Sequence, residues 1–308
     1  MDLRQLRYFV AVIKEGQITS AAKKLNMEQP PLSRQMKLLE EELGTPLFDR
    51  TGRKLVPTEA GRRLYERAEE MLVNLEETLL EIRELGEGVG GTLSIGAVVS
   101  CVSLLPGAIE RFGKEYPAVA FKIQEGDHFQ LAELLRKRQI ELIVARLPFE
   151  APPGADDYGI ASLPPDPLAA AVPTAWAEYA GRRSLRLGEL SGRPFLTLKT
   201  DRTTGMHERI MQAFAAKGSV PRIFCECSSV AVILALVAQG LGAALLPRSV
   251  LSSFRSEDFG MLELEDAALQ AEVGLVWLQD RYLSRSAERF IEELIGQPEL
   301  AAFRTPIP

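Results

Sequence analysis

The chain has 308 residues, 46% of them hydrophobic and 25% charged, with three cysteines and a net charge of −6. That length predicts two or three domains at roughly 100–200 residues each, and no apolar run reaches the ~18 residues that a membrane-spanning helix needs. Arg4, Gln5, Arg7 and Lys14 interrupt the apolar residues of the N-terminus, unlike the block of a secretion signal, and three cysteines are too few for a disulfide framework. A cytoplasmic protein is expected.

Charge is unevenly spread. Residues 1–58 hold ten Lys/Arg and seven Asp/Glu, a local charge of +3, which leaves −9 on the other 250 residues. A small basic end on an acidic body is the pattern of a DNA-binding module attached to something else.

Leu3, Leu6, Phe9, Val10 and Ile13 recur at helical spacing, and Gly16 ends that helix. Thr19 or Ser20 can cap a short second helix ending near Leu25, with Asn26-Met27-Glu28 as the turn. The third helix begins at Gln29-Pro30-Pro31. Proline suits a first turn, where the backbone N–H has no intrahelical partner. Leu32, Met36, Leu39 and Leu43 form its apolar face, and Gly44 closes it. Gln29, Ser33 and Lys37 then form an outward row flanked by Arg34. Gln and Arg hydrogen-bond base edges bidentately, while Ser and Lys bind phosphate or bases. The alternative is a solvated polar face.

Two short segments flanking Thr51-Gly52 read as a hairpin with Arg50, Arg53 and Lys54 at its tip. Thr58 can cap a long charged helix reaching about Leu85. On it Leu64, Ala68, Met71, Leu75, Thr78, Ile82 and Leu85 make a near-heptad seam, the mark of a helix that pairs with another. Residues 86–91, GEGVGG, read as a hinge. Beyond them strands alternate with helices, which predicts an α/β body. Cys225 and Cys227 lie two apart in a strand and read as ordinary strand residues. Neither His128 nor His207 has metal-ligand spacing to another ligand, and no catalytic constellation is apparent. No metal, cofactor or enzymatic activity is expected.

LRQLRYFVAV, SAAKKLN, QPPLSRQMKLLEEELGTPLFDR and LVPTEAGRRL together resemble the LysR-type family of bacterial transcriptional regulators at almost every motif position of its winged helix-turn-helix and linker helix. GTLSIG, LLPGAIERFGKEYP, IELIVAR and VAQGLGAALLP resemble the family's effector domain. The resemblance implies a winged helix-turn-helix over 1–58, a linker and dimerisation helix with hinge over 59–91, and a two-lobed α/β effector domain like that of periplasmic binding proteins. Lobe I would take 92–161 plus 267–298, and lobe II 162–266. It implies a homodimer or dimer of dimers that binds promoter DNA, responds to a small molecule and can engage RNA polymerase, with no membrane partner.

Carried onto this sequence, Gln29, Pro30, Ser33, Arg34 and Lys37 would meet DNA from the recognition helix, and Arg50 and Arg53 from the wing. Glu28 stands where the family usually has a capping Ser or Thr, and Glu caps poorly. In the two-lobed architecture Ser100, His128 and Arg146 from one lobe and Thr203, Thr204, Ser228 and Ser229 from the other converge at strand ends and helix N-termini, which suits a small carboxylate. The Ser and Thr residues serve equally as helix caps, Arg146 as a surface ion pair and His128 as a loop residue. The subgroup with a similar recognition helix includes regulators of aromatic-compound degradation, some sensing muconate-like dicarboxylates. A hydroxyl is usual where His128 stands. The competing reading is a cytoplasmic solute-binding or enzymatic α/β protein merely dimerised by its N-terminal helices.

Overall fold

The computed structural model of the protein describes residues 1–49, 55–86, 89–151, 157–200, 204–254, 257–279 and 281–296. The chain forms two compact units, Met1–Gly86 and Glu87–Pro308.

In the first unit α1 (Leu3–Glu15) starts from a capping box. Asp2 accepts from the Gln5 backbone N–H at 2.7 Å, and the Gln5 side chain accepts from the Asp2 N–H at 3.1 Å. Gly16, left-handed at φ +63°, ends it. Helix α2 (Ile18–Lys24) starts earlier than the hydroxyls suggested. Gln17 holds the cap position without a side-chain bond, and Thr19 and Ser20 lie inside the helix, because the Gly16 turn leads almost directly into α2. After a turn with Asn26 at φ +52°, α3 (Gln29–Leu43) runs to Gly44.

Phe9 and Val12 from α1, Ala21 and Ala22 from α2, and Leu32, Met36 and Leu39 from α3 close one core with Leu47 and Phe48. Each large side chain removed from water contributes about 1.5–3 kcal/mol. Leu43, expected on the same face, is 39% exposed, since it is the last residue before the chain turns away at Gly44.

The wing is an antiparallel pair, β1 (Phe48–Asp49) and β2 (Val56–Pro57). Its entry is fixed by Glu40 of α3, whose carboxylate accepts the N–H groups of Leu47 at 2.8 Å and Phe48 at 3.2 Å. The hairpin tip, with Arg50 and Arg53, lies outside the described residues.

Helix α4 (Glu59–Gly86) is capped by Thr58, whose hydroxyl accepts from the Gly61 N–H at 3.0 Å and donates to the Pro46 carbonyl at 2.8 Å. Its first turns pack Ala68 against Leu6 and Val10 of α1. Farther along, Met71, Leu79 and Ile82 are exposed.

The second unit holds two sheets that share one strand. Strands β3 (Gly91–Val98), β4 (Val119–Gly126) and β5 (Leu142–Arg146) are parallel, separated by α5 (Leu105–Glu115) and α6 (His128–Arg136). Next comes β6 (Tyr158–Pro173), then β7 (Ser184–Leu185), β8 (Pro194–Leu198), α7 (Gly205–Ala216), β9 (Arg222–Cys227), α8 (Val230–Ala238), β10 (Ala243–Pro247), α9 (Arg248–Ser253), β11 (Phe259–Leu264), β12 (Gln270–Leu278) and α10 (Arg285–Ile295). The first lobe has strand order β4-β3-β5-β12-β6; in the second, β6 continues between β10 and β11. Strand β6 pairs with β12 from Tyr158 to Pro167 and with β10 from Leu168 onward. The chain returns between Leu264 and Gln270. Separate cores form on each side, one around Phe112, Ile143 and Phe290, the other on the two faces of the second sheet around Phe214 and Ile233.

A methyl group at Gly61 would lie 2.1 Å from the Leu47 carbonyl oxygen. Alanine ordinarily stabilises a helix position by about 1 kcal/mol over glycine. Here Gly61→Ala is expected to destabilise the first unit, because backbone cannot yield as a side-chain tip can; chemical denaturation followed by circular dichroism reads the sign.

Candidate functional site: a DNA-facing helix and an interlobe cleft

On α3 the buried row Leu32, Met36 and Leu39 leaves Gln29, Pro30, Arg34 and Lys37 exposed and Ser33 half-buried on the other side. Lys37 lies 3.8 Å from Glu41, one turn on, and Gln35 accepts from Gln5 of α1 at 3.4 Å. The surface is therefore donor-rich, polar and rigidly backed. Capping is a moot requirement at its start. A cap side chain normally accepts from the N–H of the second or third helical residue, and here these are Pro30 and Pro31, which have none. Glu28 makes no cap bond for that reason.

In the second unit a cleft of about 1300 Å³ opens where parallel strands of both lobes end. From the first lobe it receives Ser100 after β3, His128 after β4 and Arg146 at the end of β5; from the second, Lys199 and Thr200 after β8, and Ser228 and Ser229 between β9 and α8. Carboxyl ends of parallel strands are where open α/β sheets bind ligands. Thr204 does not line it: its hydroxyl donates to Glu208 at 2.6 Å. Thr203 lies outside the described residues. Ser229 caps α8, accepting weakly from the Val232 N–H at 3.4 Å.

Arg146 is buried, not a surface ion pair. Its Nε donates to the Ser100 hydroxyl at 3.1 Å, and its Nη2 to the Ser100 carbonyl and to Asp166 at 3.1 Å. Asp166 is also buried and accepts from the Ser249 N–H at 3.2 Å and hydroxyl at 2.6 Å, while Ser249 lies 3.0 Å from the Ser103 hydroxyl. This network runs from the first lobe through β6 to α9 of the second. Sequence reasoning missed Asp166 and Ser249. Asp166 is hidden in PPDP, a stretch that reads as loop.

His128 is the first residue of α6 and fully buried, stacked near Phe149 with ring centroids 5.1 Å apart. Its Nδ1 accepts from the Glu150 N–H at 3.0 Å, so the neutral ring carries its proton on Nε2. Burial pushes its pKa down to about 4, partly offset by Asp127. His128 Nε2 and Arg146 Nη1 are both buried without a hydrogen-bond partner, and both residues line the cleft. Buried donors of this kind call for an acceptor. Of the cations lining the cleft, Arg146 is paired with Asp166 and Lys199 with Glu226 at 3.0 Å, while Arg209 donates to the Gln270 carbonyl at 2.7 Å. Asp127 occupies the N-terminus of α6 through a capping box with Gln130. Cys225 and Cys227 are free thiols on β9, and among the described residues no cluster of metal ligands occurs. Nor is any described helix long and apolar enough to cross a membrane.

A winged helix-turn-helix followed in sequence by a long helix and a two-lobed α/β body with a ligand-sized cleft is the build of a ligand-responsive transcriptional regulator. Residues 3–62 match the bacterial regulatory helix-turn-helix of the lysR family, and residues 86–298 match the LysR substrate binding domain. The chain belongs to the LysR family of transcriptional regulators, and is not an enzyme. It is similar to the transcriptional regulator BsdA of Bacillus subtilis, 34% identical over 293 residues that cover 95% of this chain and 99% of the relative. Full-length CbnR in complex with its target DNA shares the fold, with a TM-score of 0.72 at 24% identity over 96% of this chain and 99% of that one. Full-length BenM is 27% identical over the whole of both chains, with a TM-score of 0.56.

Two outcomes test this geometry. In the unfolded chain His128 titrates near its usual 6.5 and in the fold near 4, so the unfolded state binds the extra proton between those values. The stabilising effect of a neutral His128 is complete above pH 6.5 and is lost as pH falls towards 4. Between pH 7.5 and pH 5 the wild type should lose about 2 kcal/mol that His128→Gln does not, as read by urea denaturation. Asp166→Ala, which strands the Arg146 charge, should cost about 3–5 kcal/mol.

Proposed function

We propose that the chain binds promoter DNA sequence-specifically through α3 and the wing, and that a small acceptor-bearing effector in the interlobe cleft alters that binding. The observation that carries the effector half is the pair of buried unpartnered donors, His128 Nε2 and Arg146 Nη1, on two residues that line one cleft. A carboxylate satisfies both. The N-terminus of α8, where Ser228 and Ser229 stand, adds the favourable end of a helix dipole. Arg146 is already paired with Asp166, so its part in binding is hydrogen-bond donation, while Arg209, held by the Gln270 carbonyl, adds positive charge to the cleft; a carbonyl compound is the second choice.

In this reading residues 1–58 bind DNA, 59–91 link and dimerise, and the two lobes hold the effector in the cytoplasm. Gln29, Pro30, Ser33, Arg34 and Lys37 meet DNA from α3, and Arg50 and Arg53 from the wing tip. The exposed apolar side chains of Met71, Leu79 and Ile82 along α4 favour pairing with a second copy. Closure of the lobes changes how copies pack, and hence the spacing or bend between half-sites, which in helix-turn-helix dimers lie ~34–36 Å or multiples apart. Contact with RNA polymerase would follow from the bound arrangement.

Arg34→Ala and Ser33→Ala should abolish specific promoter binding while the oligomer survives in size-exclusion chromatography, and wild-type affinity should fall steeply with salt. Salt-insensitive binding retained in both variants overturns the DNA assignment. In a thermal-shift panel of small carboxylates, the stabilisation seen with wild type should shrink at least tenfold in apparent affinity in Arg146→Lys, which keeps a cation for Asp166 but lacks the second guanidinium donor. A panel without a hit, or one with equal hits, counts against the carboxylate.

A further inference from the structure

Glu28 is the feature of the DNA-facing unit that the family pattern does not absorb. It occupies the cap position of α3 in extended backbone, φ −76° and ψ 151°, and is exposed. Pro30 and Pro31 remove the two N–H groups it would otherwise cap, so the carboxylate is released from any local structural task. The same two prolines strip the helix end of donors that would bind a phosphate, the usual ligand of a helix N-terminus. A carboxylate beside those prolines repels phosphate further. This turn therefore offers fewer phosphate donors than an ordinary helix N-terminus.

Arg34 lies one and a half turns along and, exposed, lines the same shallow groove as Glu28, together with Pro30, Pro31, Gln35 and Leu38. No ion pair joins the two, and neither has another partner among the described residues. A free acceptor and a free donor thus share one groove that takes in Pro30 and Arg34 of the residues assigned to DNA and is bounded by Gln35, which is bonded to Gln5 of α1.

In the major groove a carboxylate can accept only from an exocyclic amino group, and the N4 amine of cytosine is its usual partner, as guanine O6 and N7 are for arginine. We propose that Glu28 is a specificity-determining residue that reads a cytosine through its N4 amine, with Arg34 reading a neighbouring guanine. The inference rests on the assignment of α3 as the DNA-reading helix.

The test is selection from a random duplex library by the full-length protein, by Glu28→Ser and by Glu28→Gln. It is followed by titration of the selected site against the same site with that C·G pair changed to T·A. Thymine replaces the amine by an acceptor oxygen, so wild type should prefer the cytosine site about tenfold. Glu28→Ser should reduce the preference below twofold and bind the thymine site more tightly than wild type does. The slope of affinity against salt should stay unchanged, because no phosphate contact is altered. Glu28→Gln, which can also donate to thymine, should likewise lose discrimination. Identical motifs for wild type and Glu28→Ser, or selection of adenine at the altered position, overturn the role of Glu28 while leaving α3 as the reading helix. Failure of the wild type to select any sequence overturns the assignment of α3 itself.

Discussion

A guanidinium cannot sit in a protein interior unless its charge and donors are matched, and in this chain the match for Arg146 determines how the effector domain is put together. Arg146 ends a strand of one lobe. Its partner Asp166 belongs to β6, which crosses between lobes, and Asp166 is held in turn by Ser249 of the other lobe. The segments around residues 146, 166 and 249 must arrive together for the chain of bonds across the lobes to close. The cleft is the space that this junction leaves between the strand ends.

The same junction leaves hydrogen-bonding capacity at the cleft, on which the proposed effector response rests. Ser100 and Asp166 use two of the three guanidinium nitrogens of Arg146, and the third has no partner among the described residues. His128 is arranged similarly, with one ring nitrogen fixed by the Glu150 backbone and the other buried without a partner, on a residue that lines the cleft. An acceptor bound there would join a network that already reaches both lobes. A ligand can shift a conformational equilibrium only through contacts that differ between its states, and a network spanning the hinge is a direct source of such a difference.

The DNA-facing unit solves a different problem with a similar economy of parts. Leu32, Met36 and Leu39 anchor α3 in a core shared with Phe9 and Phe48, and Glu40 ties the wing to the same helix through two backbone N–H groups. The outward row is thereby held on a rigid element, which suits side chains that must match base edges. Paired prolines at the start of α3 set the backbone and cancel the need for a cap, which leaves Glu28 without a capping task.

Much of this was written locally. The 3.6-residue spacing of Leu32, Met36 and Leu39, the prolines and Gly44 defined α3, and strand-helix alternation defined the α/β body, because these features depend on neighbours a few residues away. Ser100, His128, Arg146, Ser228 and Ser229 were legible as residues at strand ends, and all five line the cleft. What the sequence could not decide depended on distant partners. Leu43 belongs to the apolar row but is exposed, since the core ends where the chain turns. Strand β6 carries Pro164, Pro165, Pro167 and Pro173 and was unreadable as a strand; its partners β10, β11 and β12 arrive from later in the chain and hold it extended. The role of Asp166 has the same origin. A single Asp among prolines carries no signal of its own, and only the folding of residues 146 and 249 against it turns it into the counterion on which the cleft rests.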